Sequence, residues 1–196
     1  MPVSEIDSVE RVIHARRTHK SYTGAPIDRA TVERVLDAGR WAPNHRLSEP
    51  WRFYALDQAA IVRLIAFLRG TPQIVAGADP ARASAKLEKL LARLPQAGAL
   101  IAVTWVRGKD PTVDLEDHAA TAAAVQNALL VATGLGLGSY WSTSAGLVHP
   151  LTLRWYGVDS AREAPIGCIW LGHAAEAPVA PPRRPLSERL RWLEAA

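Results

Sequence analysis

At 196 residues, 48% of them hydrophobic, the chain is long enough to bury one full core, and a single domain over 1–196 is expected. Lys and Arg number 23 against 19 Asp and Glu, a net charge of +4 spread along the chain instead of gathered in a basic stripe, so an anionic small ligand suits it better than nucleic acid. One cysteine, Cys168, excludes an internal disulfide framework and a Cys-based zinc site.

No apolar run approaches the length of a membrane span, and Met-Pro-Val-Ser-Glu-Ile-Asp lacks the basic and apolar regions of a signal peptide; a cytoplasmic protein is expected. Ser4-Glu5-Ile6-Asp7 reads as a capping box opening a helix to about Arg17, with Ile6, Val9 and Ile13 as its buried stripe. That helix would deliver Arg16-Arg17-Thr18-His19-Lys20 at its C-terminal end, where the helix dipole favours cations. Arg grips phosphate through a planar fork and Lys is a compact charge, so the cluster suits a ligand with phosphate at one end and electron-rich oxygens elsewhere; a solvated basic helix end is the alternative.

Asp28 is placed to cap a second helix with Val32, Val35 and Leu36 on one face, closed by Gly39 and stopped at Pro43. After the loop that follows, Trp51–Leu56 alternates like a strand covered on one face. Ile61, Leu64, Ile65 and Leu68 mark a helix ending at Gly70, and Leu87, Leu90, Leu91 and Leu94 mark a charged one. Ala97–Val106 is continuously apolar, as a strand buried on both faces would be. Glu116–Thr133 is Ala-rich, either a wholly buried helix or a surface on which two subunits pack. Gly134-Leu135-Gly136-Leu137-Gly138 follows that helix and so is not a dinucleotide-binding loop, whose glycines follow a strand and open a helix; it is a helix stop and turn into a strand, Ser139–Ser144. His149-Pro150 opens a short helix to about Tyr156, and Pro165–Leu171 is a further buried strand, with Cys168 a buried structural thiol. From Ala174 to Pro185 four prolines impose an extended path, and Leu186, Leu190 and Leu193 suggest a short closing helix. The histidines lack metal-ligand spacing, so no metal is expected.

Arg16-Arg17-Thr18-x-Lys20, then Ala42-Pro43-Asn44-His45 with Pro50-Trp51 ahead, resembles the nitroreductase family of flavin enzymes, and the Asn-His start of the loop is most similar to its small YdjA-like branch. The Gly136-x-Gly138-x-x-Trp141 segment extends the likeness. Leu47, Glu49 and Ser142 depart from it, standing where the family pattern has Asn, Gln and Arg.

The resemblance implies an α+β sandwich with a mainly antiparallel central sheet flanked by helices, a variable lid at 71–96, and a C-terminal arm at 174–196 that embraces a partner in a homodimer. It further implies an FMN-dependent NAD(P)H oxidoreductase acting by ping-pong kinetics on nitroaromatics, quinones or similar acceptors, with no amino-acid nucleophile. The residues it assigns to cofactor are Arg16, Arg17, Thr18, Lys20, Trp41, His45, Trp141, Ser142, Thr143 and Arg184, the last beside Arg183. Lys20 or Arg17 would offset charge on the reduced ring, Arg16 would face the phosphate, and Trp41 would stack or simply pack. A non-catalytic flavin- or nucleotide-binding protein of the same fold is the alternative.

Overall fold

The computed structural model describes residues 4–76 and 78–193. Helices α1 (Glu5–Ala15), α2 (Arg29–Asp37), α3 (Gln58–Arg69), α4 (Pro80–Arg93), α5 (Pro111–Gly134) and α6 (Pro150–Tyr156) surround strands β1 (Trp51–Leu56), β2 (Ala99–Val106), β3 (Gly138–Ser142) and β4 (Glu163–Gly172). The strands form one sheet in the order β1-β2-β4-β3, with every neighbouring pair antiparallel. This is the expected α+β sandwich.

Strand period builds the two layers. Alternate residues of β2 and β4 face opposite sides: Ala99, Ile101, Val103, Ile169 and Leu171 pack with α2 and α5, whereas Leu100, Ala102, Cys168 and Trp170 pack with α3 and α4. Burial pushes the Cys168 thiol up to about 12, the state of an inert core thiol. One residue breaks the alternation. Between Val103 and Thr104 the β2–β4 register slips past Ile166, next to Gly167 at φ 135°, and the bulge turns Ile166 toward the α5 side.

Helix ends follow their caps. Ser4 and Asp7 form the reciprocal capping box, and Asp28 accepts from the Thr31 N–H at 2.8 Å. Helix α5 starts earlier than its alanines suggest, because Asp110 caps it and Pro111 fits its first turn. Its buried residues, from Asp117 through Ala120, Ala124, Ala128 and Ala132, make one stripe, so α5 is buried on one side within the chain and not all round.

Two expectations need correction. Helix α1 buries no residue: Ile6, Val9 and Ile13 are 63%, 54% and 48% exposed, because among the described residues no element packs closely enough on that side to bury it. The closing helix is only a single turn at Leu186–Glu188, and through Leu193 the leucines are exposed, since among the described residues no apolar surface receives them. Residues 194–196 of the arm lie outside the described residues. From 174 to 193 the chain is otherwise irregular and lies on the surface, as its prolines require.

Candidate functional site

The cationic segment is wired into the sheet. Arg16 closes α1 by donating its N–H to the Val12 carbonyl at 3.0 Å, and the Arg17 guanidinium folds back to donate to the carbonyls of His14 and Arg16. Thr18 then forms a parallel bridge with Ser139 of β3, and the His19 N–H donates to the Ser139 carbonyl at 3.1 Å. Because the bridge is parallel, the chain from Thr18 to Lys20 runs beside β3 in the direction of Trp141. Tyr22 locks the far end: its hydroxyl donates to the His19 carbonyl at 2.7 Å and its ring lies on Gly172, where an added Cβ would meet Tyr22 Cδ1 at 2.6 Å. At this junction His19 Nδ1 and Ser139 Oγ are buried without partners. Burial, reinforced by Arg16, lowers the His19 pKa from its ordinary 6.5.

Arg16 and Arg17 line a recess of about 380 Å³ that Pro181 and Arg183 of the arm complete. Three arginines thus line one recess, with the Arg17 guanidinium resting on the carbonyls of His14 and Arg16. Arg184 points elsewhere, with Nη1 3.9 Å from the Glu188 carboxylate on the surface.

At the end of β3, the Trp141 indole N–H donates to the Ile166 carbonyl at 2.9 Å, an acceptor that the bulge leaves outside the ladder. Its ring covers Gly167 so closely that a Cβ there would lie 2.5 Å from Trp141 Nε1. Ser142 is buried, and its hydroxyl accepts from the Trp170 indole at 3.2 Å and pairs with Ser144 Oγ at 3.2 Å, so that hydroxyl is already engaged. Trp170 stacks on Tyr140, and over both rings lies the Arg93 guanidinium, 5.2 Å and 5.3 Å from their centroids, with Nη2 donating to Tyr140 Oη at 3.0 Å. Arg93, at the end of α4, is thus the cation held over the inner rings next to Ser142. Thr143 is exposed and faces a cavity beneath α4.

The loop that carries His45 stands apart. Arg46, Leu47 and Glu49 all have left-handed backbone, at φ 53°, 53° and 41°, a conformation unfavourable to residues with bulky side chains. The loop is held by Ser48, whose hydroxyl donates to buried Asp117 at 2.7 Å, and by Asn44, whose side-chain carbonyl accepts the Glu49 N–H at 3.0 Å. Leu47 is 82% exposed and Trp41 76%, with the Arg40 guanidinium 6.0 Å over the Trp41 ring. His45 Nδ1 lies 3.8 Å from the Glu116 carboxylate. Neither Trp41 nor His45 lines the arginine recess of its own chain.

A sequence profile of the Nitroreductase family matches residues 13–173. The chain belongs to the nitroreductase family. Two of its relatives are provisionally named NAD(P)H nitroreductases: YfhC of Bacillus subtilis (strain 168), 27% identical over 91% of this chain and 90% of that protein, and YdjA of Escherichia coli (strain K12), 26% identical over 85% and 88%. A crystal structure of a protein provisionally named a nitroreductase, in complex with FMN, from Desulfovibrio desulfuricans superposes with a TM-score of 0.72, at 27% identity over 96% of this chain and 98% of that one. The chain thus joins two of its three motif segments, 16–20 and 141–143, through Ser139, whereas no residue of the third, 41–49, lines the arginine recess. Sequence reasoning missed Arg93 and Gly167. The spacing of Arg82, Lys86, Lys89 and Arg93 on α4 was the available signal for the first, whereas a bulge glycine has no local signature.

Proposed function

We propose that the protein is a homodimeric, FMN-dependent NAD(P)H oxidoreductase that reduces nitroaromatics, quinones or other electron-poor acceptors. The observation that carries this reading is the Thr18–Ser139 bridge, which sets the arginine recess and the Trp141–Thr143 segment side by side. The donor set fits FMN: Arg16, Arg17 and Arg183 match a phosphate, while Thr18, Lys20 and Thr143 offer neutral and cationic donors beside the strand end. When bound, FMN supplies the hydride chemistry. The chain's own work is to hold the phosphate, to present Lys20 or Arg17 where the reduced ring gathers charge, and to fix Trp141 on Gly167.

Homodimerisation is supported by the apolar side chains the single chain leaves in water: Ile6, Val9 and Ile13 on α1, Trp41, Leu47, and Trp192 on the arm. In this reading Trp41, His45 and Arg184, which do not line the recess of their own chain, would serve the cofactor of the second copy. The 71–96 segment, with α4, serves as the roof of the cavity that Thr143 faces.

Titration of the purified protein with FMN, then anaerobic mixing with NADH or NADPH, tests the reading. Saturable uptake of one FMN per chain, bleaching on addition of reductant and ping-pong kinetics with an acceptor panel are expected. Protein that takes up no FMN overturns it. Engagement of the Ser142 hydroxyl by Trp170 favours a second reading, a flavin-binding protein without turnover, and uptake of FMN without bleaching by either reductant would establish that one.

A further inference from the structure

Helix α4 carries a row of cations with helical spacing: Arg82, Lys86, Lys89 and Arg93 lie at i, i+4, i+7 and i+11, one above another on a single side. That side lines a cavity of about 580 Å³, whose opposite wall is the turn from Thr143 to Gly146 just beyond β3. Beside the cations runs an apolar seam of Leu87 and Leu90, continued by Ile74 from the preceding turn. Among the described residues Asp79 is the one acidic residue on the wall, and it is occupied as the cap of α4, accepting the Arg82 N–H at 3.0 Å. Among the described residues none of the four cations is in an ion pair. Arg93, at the inner end, is held over Tyr140 and Trp170; the other three are exposed.

This row is not explained by stability. Four like charges on one helix face repel at every i, i+3 and i, i+4 pair, and α4 buries only Leu90 and Leu91 in return. A concave wall with a cationic row, an apolar seam and hydroxyls opposite, opening on the strand end that carries Trp141–Thr143, has the composition of a site for a flat molecule with an anionic group. From Arg82 to Arg93 the row spans roughly 16 Å, room for a nucleotide-sized ligand.

We infer that the cavity between α4 and the 143–146 turn binds a phosphate or carboxylate group on the reductant or acceptor that comes to the flavin segment. The inference rests on the proposed oxidoreductase reading for its purpose, but its chemistry is independent of it. Two sources share that chemistry: the additional phosphate that distinguishes NADPH from NADH, and an acidic acceptor.

The test compares the full-length protein with the Arg82→Ala/Lys86→Ala double variant, both residues being exposed so that the fold is retained. Calorimetric titration with adenosine 2′,5′-bisphosphate and with adenosine 5′-monophosphate, in protein with and without FMN, reads the phosphate arm. Steady-state KM for 4-nitrobenzoate against neutral nitrobenzene reads the carboxylate arm. Tighter binding of the bisphosphate, or a lower KM for the acid, that weakens about tenfold in the double variant and weakens with added salt is expected. Lys86→Arg should retain the preference. If neither anion is preferred, or the double variant leaves both preferences unchanged while FMN uptake is intact, the inference falls. Failure of FMN uptake, with bisphosphate binding preserved, would instead sink the oxidoreductase reading alone.

Discussion

The segment Arg16–Lys20 and the loop 42–50 both carry family motifs, yet the chain treats them in opposite ways. The first is bound by its backbone to β3 and closed by Tyr22 on Gly172, so the main chain that carries its cations has a fixed place before any ligand arrives. The second hangs on the Ser48–Asp117 and Asn44–Glu49 hydrogen bonds, with left-handed backbone at three non-glycine positions and Leu47 in water. Preorganised charge lowers the cost of binding, whereas a strained and exposed loop has the properties of a surface completed by something outside the chain.

The largest effect should come from the preorganised side. Replacing Arg16 and Arg17 together by Ala removes two charge-assisted contacts from the recess and should weaken FMN binding by about 3 kcal/mol, roughly a hundredfold in Kd by fluorescence titration. An unchanged Kd would show that the recess is not the phosphate site. Next comes the platform of β3. Gly167→Ala places a Cβ 2.5 Å from both Trp141 Nε1 and the Ser142 carbonyl, at a φ of 135° that an L side chain rarely adopts. A loss of about 2–3 kcal/mol in urea unfolding, with altered Trp fluorescence, is expected.

The loop should respond in the other direction. At a concentration low enough to hold the chain as a monomer, Leu47→Asn suits φ 53° and should stabilise it by about 0.5–1 kcal/mol in the same unfolding assay. Where copies associate, the gain should shrink or reverse because the Leu47 side chain is then covered; an equal gain at both concentrations would show that nothing covers it.

The smallest effect is a pH slope. His19 has a folded pKa below its ordinary 6.5 because burial, and then Arg16, oppose its charged form. The unfolded chain therefore binds that proton more tightly, and stability contributed by neutral His19 is lost as pH falls below about 6.5. His19→Gln should flatten urea midpoints measured between neutral and mildly acid pH; a slope that persists unchanged assigns it to other groups.

The sequence by itself determined the elements and most of their ends. Ser4, Asp28 and the glycine after α3 act through hydrogen bonds and dihedral preferences a few residues long, the apolar period of 3.6 fixed which faces of α2 and α3 are inward, and the unbroken apolar run of β2 fixed its burial on both faces. The two arginine-rich and Ala-Pro…Pro-Trp motifs also placed the chain in its family, because motif order survives where overall identity does not. Only the tertiary structure decided that α1 leaves its apolar stripe uncovered by its own chain, that Arg183 lines the same recess as Arg16, and that a bulge at Gly167 sets the Ile166 carbonyl against the Trp141 indole. Each of those depends on which distant segment arrives on a given surface. A stripe reads as buried from its period alone, but whether anything in the same chain covers it is set by the sum of contacts far apart in sequence.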